Sequence, residues 1–160
     1  MAGLISGCSG QETQTSDSGS VTVATTEQNR HTGADPDVLQ DSNYSSPEPR
    51  AYIISPRNGA SVNPTFKVIF GLSGMGVAPA GFDKEGTGHH HLLIDVAELP
   101  ALDRPLPATD NIRHFGGGQT ETTITLPPGK HTLQLLLGDY AHVPHTSPIL
   151  SEVVTVTVVE

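Results

Sequence analysis

From residue 51 onward, the apolar residues of this chain come in short runs that alternate with polar ones, and this period of two restricts the fold more than any other feature. Val154, Val156 and Val158 alternate with Thr155 and Thr157. In residues 65–72, Phe66, Val68, Phe70 and Leu72 fall on one face. Tyr52-Ile53-Ile54 reads as a short strand closed by the Asn58-Gly59 turn signal. Residues 89–96 make a further strand, residues 120–126 and 130–137 a hairpin around Pro127-Pro128-Gly129, and residues 149–159 the last strand. Between them, residues 73–88, 97–118 and 138–148 are loops rich in Gly and Pro. With 17 Gly, 13 Pro and no Trp, the core has to come from Val, Ile and Leu. Roughly six or seven short strands and no amphipathic helix predict an all-β fold: a small Ig-like antiparallel β-sandwich with long Gly/Pro-rich loops.

The first 50 residues have a different composition. Residues 9–50 are dominated by Ser, Thr, Gln, Asn, Asp and Gly, and they read as a disordered polar tether. Val21-Thr22-Val23 is the one segment there able to add a strand to a partner. Leu4-Ile5-Ser6-Gly7-Cys8 resembles a bacterial lipobox, in which small residues admit the signal peptidase and the cysteine sulfur receives the lipid. Residues 1–8 are therefore expected to be the remnant of a lipoprotein signal, with Cys8 the lipidated residue. Seven residues precede Cys8 and none is basic, short of a full leader. A start upstream of Met1, a shortened chain or an ordinary free thiol would each account for that. The expected place is the bacterial cell envelope, in the periplasm or on the outer surface, with the membrane as partner through the lipid. A net charge of -9 disfavours nucleic acid, and one cysteine excludes an intramolecular disulfide.

Seven of the eight histidines lie beyond residue 51. On a strand, His89 and His91 project to the face of Leu93 and Asp95, and His90 to the opposite face with Leu92 and Ile94. A His-x-His pair on a strand presents two imidazoles to one metal. His142 and His145 form a His-x-x-His loop stiffened by Pro144, and His114 opens another loop. The expected ligands are His89, His91, His114, His142 and His145. The expected ion is Cu(II) or Zn(II), which neutral imidazole suits; Asp95 or Asp139 would orient a ligand from behind. His90 and His131 share rows with core leucines and isoleucine and are assigned to structure. The competing reading makes all the histidines loop architecture in a structural or adhesive module, self-assembling by strand donation or binding another surface protein. An enzyme is the least favoured reading, because no spacing singles out Glu121 or Asp139 as a base.

The wording of the domain is specific. Gly71-Leu72-Ser73-Gly74-Met75-Gly76-Val77-Ala78-Pro79-Ala80-Gly81 is followed by Thr87-Gly88-His89-His90-His91-Leu92-Leu93-Ile94-Asp95. Then come His114-Phe115-Gly116-Gly117-Gly118-Gln119-Thr120-Glu121, Pro128-Gly129-Lys130-His131-Thr132-Leu133-Gln134-Leu135 and Gly138-Asp139-Tyr140-Ala141-His142-Val143-Pro144-His145. Together these blocks resemble the bacterial family DUF4399 over residues 51–160. The resemblance implies an exported all-β domain and no settled activity.

Overall fold

A computed structural model describes residues 48–160. The expectations placed on Cys8, on Val21-Thr22-Val23 and on most of the tether lie outside the described residues.

The described residues form nine strands and no helix. Strands β1 (Arg50–Ser55), β3 (Thr65–Ser73) and β7 (Glu121–Thr125) make one sheet in the order β1-β3-β7. The larger sheet runs β2 (Ala60–Val62), β9 (Val154–Val158), β8 (Gly129–Gly138), β5 (Thr87–Ile94), β4 (Gly76–Val77), and β6 (Ile112–His114) also pairs with β5. Most ladders are antiparallel, as expected of an Ig-like sandwich; β2 with β9 and β4 with β5 are short parallel pairs.

The core between the sheets follows the alternation. Val68 and Phe70 of β3 and Ile124 of β7 meet Leu92 and Ile94 of β5, Leu133, Leu135 and Leu137 of β8, and Val154, Val156 and Val158 of β9. Each fully buried Leu contributes about 2 kcal/mol in transfer terms. Phe66 and Leu72, the outer members of the β3 row, pack at its margin.

Three expectations are corrected. The segments on either side of Pro127-Pro128 do not form a hairpin: β7 pairs with β3, and β8 pairs with β5 and β9. Both prolines lack an amide donor, so the ladder cannot close there, and the chain crosses to the other sheet. The connection 97–118 contains a strand, β6, which sets His114 on the sheet and not in a loop. The last strand is shorter, Val154–Val158, with Leu150 held only by a bridge to Leu136.

A second apolar cluster lies on the face to which His89 and His91 project. Leu93, Leu106, Ile112 and Leu136 are buried on the outer face of the larger sheet, under the loop that follows β5. Strand β5 is therefore covered on both faces, and its row His89, His91, Leu93 is as buried as the row facing the core.

Candidate metal centre

His89, His90 and His91 are fully buried. Their fates differ because the strand turns them to opposite sides. His90 enters the core, 5.3 Å from Phe70 between ring centres. His89 and His91 rise from the outer face, 4.9 Å apart.

Two further elements bring imidazoles over this pair. Strand β6 pairs with β5 so that His114 is the cross-strand partner of His91, and the rings lie 5.2 Å apart. His142 comes from the loop after β8. Asp139 Oδ1 accepts the amides of Ala141 and Val143 at 2.8 and 2.9 Å, and the Asp139 carbonyl accepts the amide of His142 at 3.0 Å. This tight turn holds His142 at φ 69°, a left-handed backbone that a side chain of this size adopts at a cost. The amide of Leu106 donates to the His142 carbonyl at 2.9 Å and ties the turn to the loop above the second cluster. His142 then lies 5.0 Å from His89 and 4.6 Å from His114. One ring nitrogen from each of His89, His114 and His142 lies within 4.8 Å of the others.

Two glycines make the room. A Cβ at Gly138, opposite His89 in the ladder, would sit 2.8 Å from Cε1 of His91 and 3.3 Å from Cα of His142. One at Gly116 would overlap the imidazole of His114. Neither glycine was singled out as part of a site from the sequence. Gly138, placed between a run of leucines and the Asp139 turn, carried the available signal.

Among the described residues, none of the four ring nitrogens of His89 and His91 has a hydrogen-bond partner. Buried polar atoms are nearly always satisfied, so such orphans call for an ion, water or another explanation. Protonation is not the answer here. Burial, reinforced by His114 and His142, pulls the pKa of His89 down to about 4, against a weaker opposing effect of Asp139. Burial and the neighbouring imidazoles of His89, His114 and His142 take His91 to about 3. Burial, then His142, lowers His114 as well. His89, His91 and His114 are therefore neutral at pH 7, the state in which imidazole ligates metal.

The other histidines stand apart. His145 is outside the group of mutually close nitrogens, and its buried Nε2 has no partner among the described residues. His131 lies at the edge of the core row and is paired with acid. Its Nδ1–H donates to Asp95 Oδ2 at 2.7 Å and its Nε2–H to the Pro127 carbonyl at 2.9 Å. Two acceptors require both nitrogens to carry hydrogen, and the Asp95 hydrogen bond raises its pKa against the pull of burial, with the Pro127 carbonyl adding to the rise. Asp95 is thus committed to His131 and to the Thr132 amide, and Asp139 to its own turn.

Fold and site together define a class: a small immunoglobulin-like β-sandwich domain with an imidazole cluster set into the outer face of its larger sheet. The chain belongs to the family described as Domain of unknown function (DUF4399), whose model matches residues 68–159. No curated protein matches it in sequence. In shape it is similar to the endo-beta-1,4-mannanase from Thermotoga petrophila, at 14% identity and a TM-score of 0.45, over 73% of this chain and 21% of that one. It is also similar to the fibronectin(III)-like modules of Clostridium thermocellum CbhA, at 15% identity and a TM-score of 0.38, over 69% of this chain and 46% of that one. The chain therefore spans less than half of either solved structure.

Proposed function

We propose that this domain binds a transition-metal ion, Cu(II) or Zn(II), at the bacterial cell envelope, on His89, His114 and His142 with His91 beside them. One observation carries the reading: two buried imidazoles with no hydrogen-bond partner among the described residues lie against two more reaching in from separate elements. His90 is equally without partners among the described residues but faces Phe70 in the core, so what sets His89 and His91 apart is that their unpaired nitrogens lie against further imidazoles. Neutral nitrogen donors without a thiolate suit borderline ions such as copper and zinc. The lipid anchor at Cys8 and the polar tether would hold the domain at a membrane surface within the periplasm or outside the cell.

Calorimetric titration of the metal-stripped chain with Cu(II) and Zn(II) tests the reading. Binding tighter than about 100 μM, abolished in a His89→Ala/His91→Ala variant, is expected. No such binding, or binding that survives the double substitution, refutes it. Envelope anchoring is tested separately, by mass spectrometry of the Cys8 peptide from cells and by membrane fractionation of Cys8→Ser. An unmodified Cys8, or membrane retention without it, removes the anchor.

A further inference from the structure

We infer that the cluster is a four-imidazole cage of tetrahedral form, with His91 as the fourth ligand, and that this form suits Zn(II) over Cu(II). The inference rests on the metal-binding reading above and narrows it.

The argument is geometric. A metal–nitrogen bond of about 2.0–2.1 Å puts a ring centre roughly 3.2 Å from the ion. Four rings around a tetrahedral ion then stand about 5.2 Å apart in every pair. Around a square-planar ion, adjacent rings stand about 4.5 Å apart and opposite rings about 6.4 Å. The His89–His91, His89–His114, His89–His142, His91–His114 and His114–His142 separations are 4.9, 5.0, 5.0, 5.2 and 4.6 Å. Only His91–His142 is longer, at 6.2 Å. If that pair were one diagonal of a square, His89 and His114 would form the other, yet their rings are 5.0 Å apart. The square fails on this pair, while the tetrahedron needs His91, whose nitrogens lie outside the mutually close group of His89, His114 and His142, to close on His142 by about 1 Å.

The supports of each ligand favour the same outcome. His89 and His91 are fixed on one strand, and His114 on its neighbour, so three of the four rings rise from a single sheet. His142 closes over them from the strained turn. Both nitrogens of His91 are buried without a partner among the described residues, so this ring has no bond to those residues to give up on binding. Zn(II), with a filled d shell, accepts a tetrahedron without loss, whereas Cu(II) prefers tetragonal surroundings. Exposed His114 and half-buried His142 mark the side from which an ion enters.

Three measurements on the metal-stripped full chain test the cage. Co(II), as a probe for Zn(II), is expected to give the intense visible bands of a tetrahedral ion, bleached by added Zn(II). X-ray absorption at the zinc edge of the wild-type protein should count four imidazoles. Zn(II) should bind no more than about tenfold more weakly than Cu(II), despite the usual solution order that places Cu(II) far ahead. His91→Ala should weaken Zn(II) by at least about tenfold and change the Co(II) spectrum, while His90→Leu changes neither. Weak octahedral Co(II) bands, three imidazoles plus a water, or a Cu(II) preference well beyond tenfold overturns the cage and leaves the metal-binding reading standing. Absence of any binding overturns the earlier reading itself. The absorption count needs no variant, so a His91→Ala chain that fails to fold does not blunt the test.

Discussion

Replacing His90 by leucine should stabilise the domain, and more so in acid. His90 is fully buried beside Phe70, with no partner for either ring nitrogen among the described residues. A buried polar group left unsatisfied costs about 1–3 kcal/mol, and an apolar side chain of similar size removes that cost. Burial also lowers the pKa of His90 from 6.5 to about 4. A native pKa below the unfolded one means that the unfolded chain binds the extra proton. The resulting stability is complete above about pH 6.5 and drains away as the pH falls toward 4, by about 3 kcal/mol in all. A leucine side chain has nothing to protonate, so in the His90→Leu variant this loss disappears.

The assay is urea unfolding of metal-free wild type and His90→Leu at pH 7.5 and pH 4.5. At pH 7.5 the variant should be more stable by about 1–2 kcal/mol, less whatever the change of shape costs in packing. At pH 4.5 the gap should widen by a further 2–3 kcal/mol or so. His89 and His91 weaken the fold over the same pH range in both proteins, so the interpretable quantity is the difference between them. A variant that loses stability with acid as steeply as the wild type would refute the argument. So would a variant clearly weaker than wild type at pH 7.5, since His90 would then have a partner that this arrangement lacks.

Asp95→Asn should show the opposite pH dependence. His131 gains a raised pKa from Asp95, so the pair's contribution, about 1 kcal/mol, is complete below about pH 6.5 and is lost as the pH rises through the folded value. Comparing the variant with wild type at pH 5.5 and 9 should find a penalty only at the lower pH; Asn tolerates the φ of 54° at this position. His142→Gly should raise stability by about 1 kcal/mol in thermal melts, by relieving the left-handed backbone, while it weakens metal binding. Gly138→Ala should weaken metal binding by about tenfold or more in the same calorimetric titration, because the added methyl meets His91 at 2.8 Å.

Local pattern carried the parts of the fold that depend on one strand at a time. The Phe66, Val68, Phe70, Leu72 row faces the core, and the strand period alone separates His89 and His91 from His90. What depends on non-local pairing was not legible. Ile112-Arg113-His114 is too short to show a period, and it becomes a strand only because β5 offers a free edge. Leu106 of a neighbouring loop packs with Leu93, and His114 and His142 from other elements lie over His89 and His91, so no alternation within 89–96 encodes the burial of this row. Within His142-Val143-Pro144-His145 the spacing treats both imidazoles alike. The two amide bonds of Asp139 choose between them by turning His142 inward, a side-chain-capped turn visible in the sequence only as an Asp beside a Gly.

The outer face of the larger sheet is assembled against the interests of stability. Two imidazoles are buried without partners among the described residues, a third residue is held in a left-handed conformation, and at two places the sheet and its loops are reduced to glycine to admit rings. Each feature costs on the order of 1 kcal/mol, and none of them adds to the apolar cluster of Leu93, Leu106, Ile112 and Leu136 on the same face. The inner face of the same strands shows that this sequence can pack leucine and valine densely, so a simpler outer face was within reach. His90 offers a comparison within one strand. It carries the same burial cost but stands in the core against Phe70, with no second imidazole stacked on it. Hydrogen bonding among loops would not select three convergent ring nitrogens with a fourth imidazole beside them over the carboxylates and carbonyls that satisfy His131. A shared cation would, because the groups that weaken the empty fold are the ones it would occupy.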